Sequence, residues 1–122
     1  MANSKGTLAE FERAFESAGE QALREALGES GFGSTVYHLC RTGVSLADSA
    51  TRPAEFDDAL STLFNPTGAL LLEGKILNRF YNSIGMNFKW NGGRVFKEEV
   101  EVASKRFREH ARLLPAQGQG GR

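Results

Sequence analysis

Cys40 is the only cysteine in the chain. This rules out an intramolecular disulfide and any multi-thiolate metal centre built from one copy, and it fits a reducing compartment. Long apolar runs are missing as well. Nothing approaches the roughly 18 consecutive apolar residues that cross a bilayer, and the opening MANSKGTLAEFERAF lacks the basic-then-apolar order of a secretory signal. The chain is therefore expected in the cytoplasm, with no membrane partner. Net charge is absent too, with 15 Lys and Arg against 15 Asp and Glu, so no general attraction to phosphate follows from composition. Catalytic motifs are also lacking: no nucleophile elbow, no phosphate-cradling glycine loop and no metal-binding H-x-x-x-H spacing surrounds His38 or His110.

What is present is a folded composition, 40% hydrophobic with nine Phe in 122 residues, which is enough for one core and too little for two. One helical domain is expected over 7–115, with a flexible start at 1–6 and a Gly/Gln-rich disordered tail at 116–122. Thr7 and Glu10 form a T-x-x-E capping box that opens a helix. Leu8, Phe11, Phe15, Ala18, Ala22 and Ala26 recur every three or four residues along it, placing them on one inner face. Gly28 ends this pattern, Gly31-Phe32-Gly33 reads as a loop, and Ser34 can cap a short second helix that stops before Gly43. Pro53 suits the first turn of a third helix carrying Phe56, Leu60, Leu63 and Phe64 inward. Asn65-Pro66 breaks it, because the residue before proline is pushed out of helical geometry.

The run from Pro66 to Ile84 is apolar over more than half of a helical circumference and is expected at the centre. Gly68 and Gly74 each weaken such a helix by about 0.5–1 kcal/mol relative to Ala, and a closely approaching backbone is the reason inferred for them. Met86, Phe88 and Trp90 alternate before Gly92-Gly93, so this stretch is a short strand with a turn or an aromatic loop. The last helix places Phe96, Val100, Ala103, Phe107, Ala111 and Leu114 on one face, supported by a Glu101–Lys105 pair, and ends at Pro115. The predicted fold is all-α: a compact bundle of about five helices.

These patterns supply no catalytic residue, metal site or cofactor. His38 and Cys40 are two residues apart and diverge on a helix. The pairs Asp57-Asp58 and Glu98-Glu99 sit in first helical turns, where negative charge favours the helix dipole. Two surfaces remain. Lys89, Trp90, Arg94, Lys97, Lys105, Arg106 and Arg108 mix aromatic rings with cations in the manner of a nucleic-acid surface, although Glu98, Glu99, Glu101 and Glu109 are interspersed. Leu70, Leu71, Tyr81 and Phe88 are the apolar residues available for an interface if the bundle leaves them uncovered. Residues 1–65 carry five cations against ten anions and residues 86–122 eight against four, an asymmetry suited to association of unlike surfaces.

From Phe32 to Tyr81 the elements Val36-Tyr37-His38-Leu39, Gly43-Val44-Ser45-Leu46, Pro53-Ala54-Glu55-Phe56, Ala59-Leu60, Leu63-Phe64 and Leu72-Glu73 resemble a small archaeal domain family, the Nitrosopumilus output domain. The resemblance covers less than half of the chain. It differs at Phe64-Asn65, where the family has Phe-Gly, and in the added Met86–Val95 segment. It implies a helical regulatory or output module and carries over no catalytic residue. The expected function is a non-enzymatic regulatory or protein-interaction domain, partnered by another protein or by itself as a homodimer. Nucleic-acid binding through the basic C-terminal half, or sensing of a small ligand held between the central helix and the aromatic residues Phe32, Phe56 and Trp90, are the alternatives.

Overall fold

Two residues with positive φ shape this molecule, Gly28 (φ 77°, ψ 169°) and Asn65 (φ 58°, ψ 167°). The computed structural model describes residues 7–90 and 94–113. Its elements are α1 (Leu8–Arg41), α2 (Asp48–Thr51), α3 (Pro53–Ser83) and α4 (Phe96–Leu113), so the described chain is all-α. Residues 1–6, the Gly92-Gly93 turn, the Leu114-Pro115 helix end and the tail at 116–122 lie outside the described residues.

The capping expected at Thr7 is realised, with Glu10 N donating to Thr7 Oγ1 at 3.1 Å. Gly28 then breaks α1 into two helical segments, in a backbone region that residues with a Cβ enter only under strain. The chain resumes helical geometry directly afterwards. Gly31, Phe32, Gly33 and Ser34 are helical rather than a loop and its cap, because Gly28 alone makes the turn and leaves nothing for a longer loop to do. Arg24 closes the corner, with its guanidinium 4.3 Å from the centre of the Phe32 ring and ion pairs to Glu20, at 2.9 Å, and to Glu29.

Asn65 breaks α3 in the same way. Its side chain accepts a hydrogen bond from Gly68 N at 2.9 Å and Pro66 follows in the first turn, so Asn65 both turns the chain and caps the next segment. A straight helix would separate residues 57 and 73 by about 24 Å. Instead the carboxyls of Asp57 and Glu73 meet, so the two segments of α3 fold back upon one another. Gly68 serves this tight turn, since a Cβ on it would lie 2.9 Å from Phe64 Cβ. The close neighbour expected for Gly68 is thus a side chain one turn back, not a backbone. Replacing Asn65 by Ala is expected to remove the cap and strain a positive φ together, costing about 1.5–3 kcal/mol by urea denaturation. Asn65→Gly relieves the strain and should cost less than half as much.

The core is largely aromatic. Phe80 on α3 packs against Phe11 (5.4 Å), Phe15 (5.3 Å), Tyr81 (5.5 Å) and Phe107 (6.1 Å between ring centres), joining α1, α3 and α4. Phe96 extends this stack to Phe15 and Phe56. Leu23, Leu39, Leu60, Ile76 and Leu77 fill the remaining interior. The run Pro66–Ile84 supplies Ala69, Leu72, Ile76, Leu77, Phe80 and Tyr81 to this core, as its apolar circumference implied. Met86 to Trp90 forms no strand among the described residues. It nevertheless alternates, Met86, Phe88 and Trp90 being half-buried and Asn87 and Lys89 exposed. The period of two was legible, but among the described residues no second strand stands beside it to supply hydrogen bonds.

Candidate functional site

Leu70 and Leu71 stand 52% and 64% exposed in the middle of the most apolar helix. Beside them the segment after Gly85, which turns with φ 77°, brings Phe88 and Trp90 back along α3. Between the two runs an open groove of about 720 Å³, lined by Leu70, Leu71, Gly74, Lys75, Asn78, Phe88, Trp90 and Arg94. Gly74 forms part of its floor: a Cβ there would lie 3.9 Å from Trp90 Cε3. The nearest neighbour of this glycine is an aromatic ring beside an open groove rather than another backbone, and the ring stands at ordinary contact distance for a Cβ.

The aromatic wall is held from behind. Phe88 stacks on Tyr81 with centres 5.1 Å apart and planes 6° from parallel, and Trp90 meets Phe88 edge-on at 6.2 Å. Trp90 Nε1 donates to the Arg94 carbonyl at 3.1 Å, which fixes the indole and leaves its remaining ring surface toward the groove. Tyr81 itself is fully buried. Its expected place in an exposed interface is corrected: the bundle covers it, and it acts as the backing of Phe88. Burial pushes the Tyr81 phenol above its ordinary pKa, with Glu99 adding to the effect and Arg106 and Arg94 opposing it.

The basic residues singled out for nucleic acid do not share a face. Lys97 pairs with Glu101 at 3.3 Å and lines a separate cleft with Arg108 between α1, the α2 region and α4. Arg106 lies on the other flank of α4, 5.9 Å from the centre of the Tyr81 ring. Arg94 faces the buried Glu99 at 3.8 Å, and Lys89 and Lys105 are exposed. Only Trp90 and Arg94, with Lys89 adjoining, belong to the groove. The pocket expected among Phe32, Phe56 and Trp90 does not form. Phe56 is wholly interior and Phe32 packs beneath Arg24 on α1, so of the three only Trp90 lines the groove.

No family model, curated protein or solved structure matches this chain.

The fold contains a feature the spacing alone did not expose. Glu73, one turn from Ala69 and Ile76, is 2% exposed, and no donor among the described residues reaches its Oε2. Burial first, then hydrogen bonding and charge repulsion with Asp57, push its pKa up to about 10. The carboxyl therefore keeps its proton at neutral pH and offers it to Asp57. Asp57 was expected to be a solvated residue of a helix first turn; the fold-back at Asn65 turns it toward Glu73 instead. Glu99 likewise is buried rather than solvated, whereas Glu98 behaves as expected and accepts from Val95 N at 3.4 Å. The available signal for Glu73 was a lone acid inside the apolar run Leu70–Leu77. Among the described residues no group of three or more His, Cys, Asp or Glu could hold a metal ion; His38 and Cys40 are both exposed. No helix among them is long and apolar enough to cross a membrane.

Proposed function

We propose that this chain is a non-enzymatic protein-interaction domain that docks a partner protein in the groove between α3 and the Phe88–Trp90 segment. The observation that carries this reading is the pairing of two strongly exposed leucines with aromatic residues already fixed in position. Monomeric proteins seldom leave such an apolar strip uncovered beside a pre-ordered wall. Trp, Tyr and Arg, the residue types at this wall and behind it, dominate binding energy at protein interfaces, and a surface needing no reordering on contact loses less entropy. The regulatory role implied by the resemblance of residues 32–81 to an output domain is compatible with such a surface, and the partner class includes a second copy of the chain.

The groove is separable from the core, and this makes the reading testable. Leu70→Glu with Leu71→Glu is expected to change the unfolding free energy by no more than about 1 kcal/mol, since both side chains are more than half exposed. Association should weaken at least tenfold, measured by light scattering over a concentration series for self-association and by titration with selected peptides for other partners. A destabilisation above about 2 kcal/mol would assign these leucines to packing instead. Association that ignores the double substitution would remove the docking surface altogether.

A further inference from the structure

We infer that the occupant of the groove is an acidic amphipathic helix of two to three turns on a partner protein, rather than a second copy of this chain. The inference rests on the docking reading above and names its partner.

Length comes first. The α3 residues that line the groove run from Leu70 to Asn78, about 12 Å of helix at 1.5 Å per residue. That matches roughly two turns of an apposed helix, which would present apolar side chains at i, i+3 or i+4 and i+7. Leu70 and Leu71 offer one apolar contact region, Phe88 and Trp90 the other. Gly74 leaves the floor between them without a side chain, so a backbone or a large side chain can approach there.

Charge decides the rest. The groove lining holds two cations, Lys75 and Arg94, and no anion. Lys75 makes no ion pair among the described residues, and Lys89, exposed beside Phe88 and Trp90, makes none either. Arg94 is partly engaged, with Glu99 at 3.8 Å, but that carboxylate is buried behind it rather than displayed in the groove. A two-fold pairing of this face with itself would bring the same cations towards one another, and like charges at an interface oppose association. An apolar helix flanked by Asp or Glu instead meets Lys75, Lys89 and Arg94 with opposite charge.

The test is selection of amphipathic helical peptides of random flanking charge, displayed on phage, against the wild-type chain. The variant Leu70→Glu with Leu71→Glu serves as the counter-selection. Trp90 is the only tryptophan in the sequence, so its emission reports binding of the selected peptides without a label. The expected winners carry net negative charge, shift Trp90 emission on saturation and bind at least tenfold more weakly to Gly74→Leu, which fills the groove floor. Gly74→Leu should be at least as stable as wild type, because it replaces glycine inside a helix. Lys75→Glu with Lys89→Glu should also weaken the acidic peptides about tenfold; Arg94 is left intact so that Glu99 keeps its neighbour.

Neutral or basic winners, or acidic winners indifferent to Lys75→Glu with Lys89→Glu, would overturn the acidic assignment. The docking reading would survive that result if Gly74→Leu still blocked them. Self-association abolished by Gly74→Leu would make a second copy the occupant and equally overturn the inference. If no peptide were enriched over the counter-selection and the chain stayed monomeric, the docking reading itself would fall.

Discussion

Phe80→Ala is expected to lower the unfolding free energy by about 3–5 kcal/mol, the range for removing a fully enclosed phenylalanine from a core that cannot collapse around the gap. Phe80 has no exposed surface, and its ring touches Phe11 and Phe15 of α1, Tyr81 of α3 and Phe107 of α4. The cavity would therefore open where three helices meet, and each neighbouring ring would lose an edge or tilted contact in addition to dispersion energy. Domains of this size are stable by about 5–15 kcal/mol in total. A large part of the chain's stability thus depends on one ring, and in urea the midpoint should fall sharply with little change in slope. Phe88→Ala gives the comparison. It is half-buried at the edge of the groove and should cost less than half as much while still loosening Trp90. A loss under about 1 kcal/mol for Phe80→Ala would mean the interior re-packs, contrary to the interlocked ring geometry.

Glu73→Gln is expected to stabilise the protein at neutral pH and to remove a pH dependence that the wild type carries. The direction follows from linkage. The Glu73 pKa rises from 4.5 to about 10 in the folded chain, so between these values the folded state holds a proton that the unfolded state has lost. Stability is then greatest below about pH 4.5 with respect to this group, declines as pH rises, and stops declining once pH passes the folded value. Each unit of separation corresponds to about 1.4 kcal/mol; relaxation of the carboxyl and its surroundings reduces the full figure. A gain of about 1–3 kcal/mol for Glu73→Gln at pH 7 is the expected result. The amide stays neutral at every pH and still has an N–H to donate to Asp57. The difference between wild-type and variant stability should therefore be small near pH 4.5 and grow through pH 9, as followed by thermal or urea unfolding. A difference independent of pH would mean that Glu73 is ionised in the folded protein. A destabilised variant would mean that its buried acid holds the two segments of α3 together in a way an amide cannot.

Much of the architecture was readable from local chemistry. Thr7 and Glu10 marked the start of α1, Gly28 its break and Asn65-Pro66 the break of α3, because caps, glycine and proline act through backbone geometry within a turn of themselves. The 3.6-residue recurrence of Phe11, Phe15 and Ala18, and of Phe96, Val100 and Ala103, fixed which faces point inward. Leu70 and Leu71 were surplus to the stripe formed by Ala69, Leu72 and Ile76, so their exposure could be anticipated, and Trp90 and Phe88 declared an aromatic segment. The error at Gly31–Ser34 shows the limit of local reading: glycine permits a loop, but a helix already turned by Gly28 and anchored by buried Phe32 and Thr35 does not need one.

Tertiary structure alone decided which of these local elements meet. The turn at Asn65 brings the half-buried Asp57 to the buried Glu73 from sixteen residues away, and no spacing rule encodes that distance. Packing also divided three aromatic residues of one helix-and-loop pair, enclosing Tyr81 completely while leaving Phe88 and Trp90 at the edge of a groove. The scatter of Lys97, Lys105, Arg106 and Arg108 around α4, by contrast, follows from helical spacing alone. The sequence by itself determined an all-helical chain, its breaks at Gly28 and Asn65 and most of its inward faces, since those depend on neighbours along the backbone; Leu8, Ala26 and Leu63, expected inward, are exposed. The groove, its cationic edge and the acid buried behind it depend on residues distant in sequence, and only the folded chain sets their separation.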